Sequence, residues 1–207
     1  MSLDLVTPPA VEPIVSVIDV KLQCSLGDVT DHDVFLEQYL VPAARERGEL
    51  STRRQWIEAT WTQRLDGFPA GGAWLEVPRP PLIAVVSVQY VDLAGVLQTM
   101  DASAYDVDAP RGPRCARGRI APVYGTTWPS TRAQLNAVRV TFRAGYGTKA
   151  TDVPTLLRQA MLMDVATLFE HRENIVIGTK NIVAELPRGS AAIYDSYRSY
   201  PRVCTPR

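Results

Sequence analysis

The sequence predicts an α+β protein: a helical bundle formed by both chain ends, with a small antiparallel β domain, a sandwich or a barrel, inserted between them. Three observations carry this. The hydrophobic period is helical as far as about Leu50, drops to two after Arg54, and becomes helical again from Thr151. The middle stretch holds about six short apolar runs punctuated by Gly and Pro. The helix expected from Thr151 is apolar almost all round its middle, so it must sit centrally in a bundle or under neighbouring subunits. The expected division is therefore residues 1–54 with 150–207 as the helical part, and 55–149 as the β domain. At 207 residues such a chain hides about 70% of its unfolded surface and needs no covalent staples.

Taken in order, a short helix is expected over Ser16–Leu22 and a longer one from Asp31 to about Leu50. Thr30 is placed to cap the longer helix, with Asp33 as its acidic partner three residues on. Phe35, Leu36, Tyr39, Leu40, Ala43 and Ala44 form its buried stripe. Pro42 interrupts that stripe and lacks an N–H, which predicts a kink or break between Gln38 and Pro42. Beyond Arg54, Ile57, Ala59, Trp61 and Leu65 alternate with polar residues as a half-buried strand. Ile83–Asp92 is a second strand, and Asp92-Leu93-Ala94-Gly95 turns it into Val96–Met100. Shorter strands are expected at Tyr105–Asp108 and Arg117–Ala121. Val138, Val140, Phe142 and Ala144 alternate cleanly with Arg139, Thr141 and Arg143, and Gly145-Tyr146-Gly147 ends that strand.

From Thr151 or Asp152 a capped helix, with Pro154 in its first turn, should run to about Arg172. Val153, Leu157, Ala160, Met161, Val165, Leu168 and Phe169 mark its main buried face, widened by Leu162 and Met163. A loose segment is expected past Gly178, then a short helix over Ser190–Arg198.

Basic and acidic side chains balance at 22 each. That argues against a protein that grips polyanions through a surplus of cations. Cys24, Cys115 and Cys204 are odd in number and about ninety residues apart, with no CxxC or paired Cys/His spacing. Neither a zinc site nor a disulfide framework is expected. The opening Met1-Ser2-Leu3-Asp4-Leu5 lacks a basic run and soon meets Pro8-Pro9, unlike an export signal. The most apolar stretch, Ala160–Phe169, is far short of the about 20 residues that a membrane span needs. A reducing cytoplasm with free thiols is the expected setting.

Enzyme chemistry finds no footing in the residues, and no catalytic, metal or cofactor site is expected. His32 and His171 both fall near ends of expected helices, where an imidazole has a surface role. Glu170-His171-Arg172-Glu173 lacks the spacing that sets two metal ligands on one helix face. Gly145-x-Gly147-Thr148-Lys149 lacks the frame of a phosphate loop and follows an antiparallel-type strand. One basic patch exists: Arg111, Arg114, Arg117 and Arg119 lie within nine residues. It is either a solvated loop between strands or a contact for DNA phosphates or an acidic partner. Aromatic residues are missing from it, so it offers no stacking platform for bases. Trp56, Trp61, Trp74 and Trp128 all fall in the β region, as core and interface anchors more than as a sugar platform.

Several runs spread over almost the whole chain resemble one family. They include Leu5-Val6-Thr7-Pro8-Pro9, Ala43-Ala44-Arg45, Thr60-Trp61 and Pro78-Arg79-Pro80-Pro81-Leu82. Tyr90-x-Asp92-x-x-Gly95, Tyr124-Gly125-x-x-Trp128-Pro129 and Asn136-Ala137-Val138 leading to Ala144-Gly145-Tyr146-Gly147 continue the series. The apolar helix ending Glu170-His171-Arg172-Glu173, then Leu186-Pro187-x-Gly189 and Tyr197-Arg198, complete it. In order and spacing the chain resembles the head–tail connector (adaptor) proteins of tailed bacteriophages and gene transfer agents. Departures are Pro42, Ser51-Thr52-Arg53 and Ser190.

The resemblance implies a structural protein of the virion or phage-like particle, assembled in the bacterial cytoplasm and placed at the head–tail junction. It implies a homo-oligomeric ring, commonly of twelve copies, under the portal protein, extending the DNA channel towards the stopper (head-closure) and tail proteins. Double-stranded DNA would pass without sequence recognition, and no membrane is involved. By position, Leu186, Pro187, Gly189, Ile193, Tyr194, Tyr197 and Arg198 would make the portal contact, with Ile193 and the two tyrosines as anchors that order on docking. Either that segment docks, or it folds back on its own bundle. Neutral overall charge suits a conduit, since unpaired cations along a bore would hold phosphates. A mixed or acidic bore is expected, with the Arg111–Arg119 loop facing a protein neighbour or the outside. The competing reading is a secreted or surface β-rich binding module, which would call for a signal peptide or paired cysteines.

Overall fold

The computed structural model describes residues 2–9, 13–170, 175–177, 183–185 and 189–201. The chain is α+β and forms two compact units. One comprises Met1–Ala10, Arg53–Thr148 and Ser199–Arg207, the other Val11–Thr52 and Lys149–Arg198.

The first unit is the β unit. Its larger sheet has the order β1-β2-β8-β4-β5, from β1 (Ser2–Thr7), β2 (Ala59–Leu65), β4 (Leu82–Val91), β5 (Leu97–Thr99) and β8 (Val138–Ala144). Its smaller sheet has the order β3-β7-β6, from β3 (Leu75–Val77), β6 (Tyr105–Asp108) and β7 (Gly118–Pro122). All pairings within both sheets are antiparallel. β8 is the keystone. Its Val138, Val140, Phe142 and Ala144 are wholly buried, while Arg139, Thr141 and Arg143 turn the other way. Trp61 and Val85 flank Phe142 from β2 and β4, and Thr62 meets Thr141 hydroxyl to hydroxyl at 2.9 Å. The core joins both sheets: Leu75, Val77, Tyr105 and Ile120 of the smaller pack with the β8 residues, Leu82 and Val88 of the larger. Phe68 stacks flat on Trp128 at 4.6 Å, and the Trp128 indole donates to the Ala73 carbonyl at 2.8 Å.

Ser2–Thr7 is an edge strand of this unit, although its sequence position suggested the helical part. Its apolar Leu5 and Val6 are exposed; pairing with β2, with Leu3 packed against the core, makes it a strand.

In the second unit, α1 (Val17–Gln23) is set by a capping box. The Ser16 hydroxyl accepts from the Asp19 N–H at 3.1 Å, and the Asp19 carboxylate accepts from the Ser16 N–H at 3.0 Å. The Ser16 hydroxyl, which also donates to that carboxylate at 2.8 Å, and after it the Ser16 N–H hold the Asp19 carboxyl below the usual range. Their stabilisation is therefore present above the unfolded-state pKa and is lost as pH falls through the lower folded-state value.

The next helix departs from expectation at its start. Thr30 does not cap it. The α2 turn (Asp33–Phe35) has His32 at its capping position and begins without a side-chain cap; Thr30 accepts from the Asp33 N–H through its carbonyl at 3.0 Å, and the Asp33 carboxylate pairs with Lys21 at 2.6 Å. A π turn, Leu36–Leu40, then joins α2 to α3 (Val41–Thr52), the Val41 N–H reaching the Leu36 carbonyl five residues back. This is the break that Pro42 announced: with no N–H at 42 for the Gln38 carbonyl, the turn widens instead of continuing as α-helix.

α4 (Thr155–Glu170) starts directly after Pro154, preceded by a 3-10 turn, Ala150–Asp152. Leu157, Ala160, Met161 and Val165 are buried along it. Asp164, which apolar periodicity does not mark, is buried on the same helix. Arg172 and His171 lie outside the described residues. Past Glu170, β9 (Ile175–Ile177) and β10 (Val183–Glu185) pair antiparallel, so β10 is a strand within the stretch past Gly178 where a loose segment was expected. α5 (Gly189–Tyr197) closes the unit and packs along α4 and α3.

Candidate functional site

Two places gather the residues that the sequence singled out. The first is α5. Its inward side carries Ser190, Tyr194 and Tyr197, all buried, and its outward side carries Ala191, Ala192, Asp195 and Ser196. Asp164 of α4, 2% exposed, lies beneath it. The Ser190 hydroxyl donates to one carboxylate oxygen of Asp164, and the Tyr194 hydroxyl donates to the other at 3.0 Å. Arg47 of α3 approaches from the side, its Nε 4.0 Å from Asp164. Burial first, and the adjacent carboxylate second, push the Tyr194 phenol above the ordinary tyrosine range, so it remains a donor at neutral pH. A buried carboxylate is tolerated only when its oxygens are satisfied, and here one helix satisfies both from a neighbour. At Gly189 a side chain would meet the Met163 methyl at 2.7 Å, so the glycine lets α5 start close against α4.

Of the segment expected to contact a portal, Leu186 and Pro187 lie outside the described residues. Tyr194 and Tyr197 are turned inward, so neither is a free anchor in this conformation. Ile193 is half-buried, and Arg198 is exposed with Asp195 at 3.4 Å. Ser190, one of the departures from the family pattern, is the residue that satisfies Asp164.

The second place is the arginine loop, and the structure divides it. Arg117 is largely covered, held by Glu76 at 3.1 Å and the Ser199 hydroxyl at 3.3 Å. Arg119 pairs with Asp108 and lies over the Trp74 ring at 5.6 Å. Arg117 immediately precedes strand β7 and Arg119 lies near its start, so both serve the smaller sheet. Arg111 and Arg114 are exposed in the loop before it. That loop is fixed by a residue no pattern marked: Arg54, 2% exposed, donates to the Cys115 carbonyl at 2.8 Å. Arg117→Ala is expected to destabilise the β unit by about 1–2 kcal/mol by removing the part-buried Arg117–Glu76 ion pair and the bond to Ser199. Chemical denaturation measures this, and an unchanged midpoint would show that the pair contributes nothing.

The tryptophans do not line up as a platform. Trp56 and Trp128 are buried. Trp61 donates to Gln55 at 3.0 Å under the Arg79 guanidinium, and Trp74 lies under Arg119. Among the described residues no three His, Cys, Asp or Glu side chains are placed to share a metal ion, and no helix is long and apolar enough to cross a membrane. His32 sits edge-on to Phe169 at 5.2 Å.

The two units differ sharply in charge. The β unit holds 13 arginines against 8 carboxylates, and the helical unit 9 cations against 14 carboxylates. Overall neutrality is the cancellation of a basic unit by an acidic one.

Among solved structures the chain matches, end to end, a chain in the virion of a native gene transfer agent particle, with 24% identity, 98% of both chains covered and a TM-score of 0.75. It has the fold of a gene transfer agent neck chain. The same extent and identity hold against the neck of the empty particle computed with C6 symmetry, at a TM-score of 0.74, and the neck of the native particle computed with C12 symmetry, at 0.71. No family model and no curated protein matches the sequence. In the terms of this neck fold, both places described above belong to a likeness that spans both units, since almost nothing of either chain is left over.

Proposed function

We propose that this protein is a head–tail connector subunit. Its copies form a ring, twelvefold in the particle, beneath the portal, and extend the DNA channel towards the stopper and tail. The observation that supports this best is the fold match over 98% of both chains to a neck component of a particle treated with C12 symmetry. Its helical unit, Val11–Thr52 with Lys149–Arg198, is the connector bundle, and Arg53–Thr148, the main part of the β unit, is the segment inserted between its two halves. No cofactor and no catalysis enter the role; the work is done by surfaces. Electron microscopy of particles with the portal in place tests it. A ring of this chain is expected at the vertex, and a well-resolved vertex lacking it would overturn the reading.

Within that role, the closing segment from Leu186 through Pro187, Gly189, Ile193, Tyr194 and Tyr197 to Arg198 is the portal contact. Tyr194 and Tyr197 act from inside, holding α5 in place, while Ile193 and Arg198 meet the partner. Deleting the whole segment would strip Asp164 of both hydroxyls, so truncation would confound docking with unfolding. Point changes separate them. Ile193→Asp with Arg198→Glu is expected to weaken binding to purified portal protein about tenfold or more, with the unfolding midpoint nearly unchanged. Unaltered portal binding by this double variant would reject the contact. Arg111 and Arg114 are proposed to face an acidic protein neighbour instead of the bore.

A further inference from the structure

The helical unit carries an open groove of about 760 Å³ beside α1. Ile18 and Leu22, one helical turn apart, line it and are 70% and 75% exposed. The facing wall is the loop Ser25–Thr30, which contributes Asp28. From Asp28 to Glu37 the chain has four carboxylates and no Lys or Arg, and among the described residues only Asp33 of these is drawn into an ion pair, with Lys21. Lys21 also lines the groove on the helix side, its charge met by Asp33, so Ile18 and Leu22 supply an apolar wall and Asp28 the carboxylate that faces it.

The β unit carries the converse. The β4–β5 hairpin projects Leu93, Val96 and Leu97, which are 72%, 54% and 45% exposed. Its shape is fixed from within: the Asp92 carboxylate accepts from the Val96 N–H and the Gln98 amide, each at 2.9 Å. Arg132 lies against the turn, so near that a Cβ at Gly95 would be 2.6 Å from its Nη1, and Leu135 close by in sequence is 79% exposed. Among the described residues no carboxylate forms an ion pair with Arg132. This is a rigid apolar knob with a cationic flank, and a preformed knob loses little conformational entropy on docking.

Resting on the ring reading above, we propose that the β4–β5 hairpin of one copy seats in the α1 groove of the next, with Arg132 against Asp28 and Asp31. The occupant is a second copy because a closed cyclic assembly needs two different complementary patches on every subunit, and these are two such patches. Charge selects this pairing over the alternatives. Groove against groove sets acidic rims together, and knob against knob sets arginines together, whereas knob in groove joins a basic unit to an acidic one.

The test uses the full chain and sedimentation over a concentration series at low and high salt. Arg132→Glu, and separately Asp28→Arg with Asp31→Arg, are expected to weaken self-association at least about tenfold, and raising salt to weaken the wild type in the same direction. The combined charge-reversed chain should regain assembly, which a merely damaged fold would not do. Leu93→Asp, on an exposed turn, should weaken it with no loss of thermal stability. A wild-type ring that every one of these variants forms equally well overturns this contact and leaves the ring reading standing. A wild-type chain that stays monomeric up to millimolar concentration, and is absent from the particle vertex, overturns both.

Discussion

Replacing Asp164 with alanine should cost the helical unit about 2–4 kcal/mol and release α5 from α4. The side chain is 2% exposed and accepts from Ser190 and Tyr194 on the last helix, with Arg47 approaching from α3. Alanine removes the acceptor that two buried hydroxyls share, and loss of a partner by a buried polar group costs about 1–3 kcal/mol. It also leaves a small void in the layer that Leu157, Ala160, Met161 and Val165 fill. Asp164→Asn keeps one carbonyl acceptor and should lose clearly less, which separates the hydrogen bonds from the volume. Chemical denaturation gives the magnitude, and limited proteolysis near Gly189 shows whether α5 has come loose. An alanine variant with a wild-type midpoint and wild-type protection would remove Asp164 from its role. Because α5 bears the proposed portal contact, the same variant should also dock poorly, through position and not through contact.

Gly145→Ala is expected to destabilise the β unit by about 3 kcal/mol or more. The glycine has φ of 140°, and a Cβ there would lie 2.6 Å from the Glu58 nitrogen and 2.7 Å from its Cα. Those are backbone atoms of a strand entry, and they are tied in place. The Glu58 N–H donates to the Gly147 carbonyl at 2.8 Å, and the Tyr146 N–H to the Trp56 carbonyl at 3.0 Å. Neither side can give way without breaking the join between the end of β8 and the approach to β2. Gly125→Ala is the matched comparison: φ is 82°, but nothing lies within 4 Å of its Cβ position. That variant should lose only the backbone cost of about 1 kcal/mol. Equal losses at the two sites, measured by thermal or urea unfolding, would show that close approach contributes nothing at Gly145. The pair Gly145 and Gly147, which superficially resembles part of a phosphate loop, is accounted for by this backbone crossing.

The division of charge gives the neutral composition a mechanical meaning. A uniformly neutral surface would not discriminate between neighbours. In the proposed ring, a basic β unit and an acidic helical unit would favour contacts between unlike units of successive copies, and disfavour contacts between like ones. Screening by salt is the corresponding signature.

Where a side chain's neighbours on its own strand or helix decide its fate, the sequence was sufficient. Val138 to Ala144 alternates over a full strand, Tyr105–Asp108 is bounded as expected, and Pro42 breaks its helix because a missing N–H is a property of the residue itself. The closing helix was legible too, within a residue at each end. Where distant residues decide, pattern gave no signal. Asp164 looked like a polar interruption in an apolar helix until Ser190 and Tyr194, 26 and 30 residues further on, supplied its donors. Arg117 and Arg119 looked like half of a free basic patch until Glu76 and Asp108 claimed them.

By itself, then, the chain determined the periodic elements, the overall charge balance and the fold class, because period, propensity and composition are local or additive. Only the tertiary structure decided which face of α5 is available, which arginines remain exposed, how the sheets are ordered, and that neutrality is a basic unit set against an acidic one. Pairing across tens of residues depends on how the backbone returns in space, and no local spacing encodes that return.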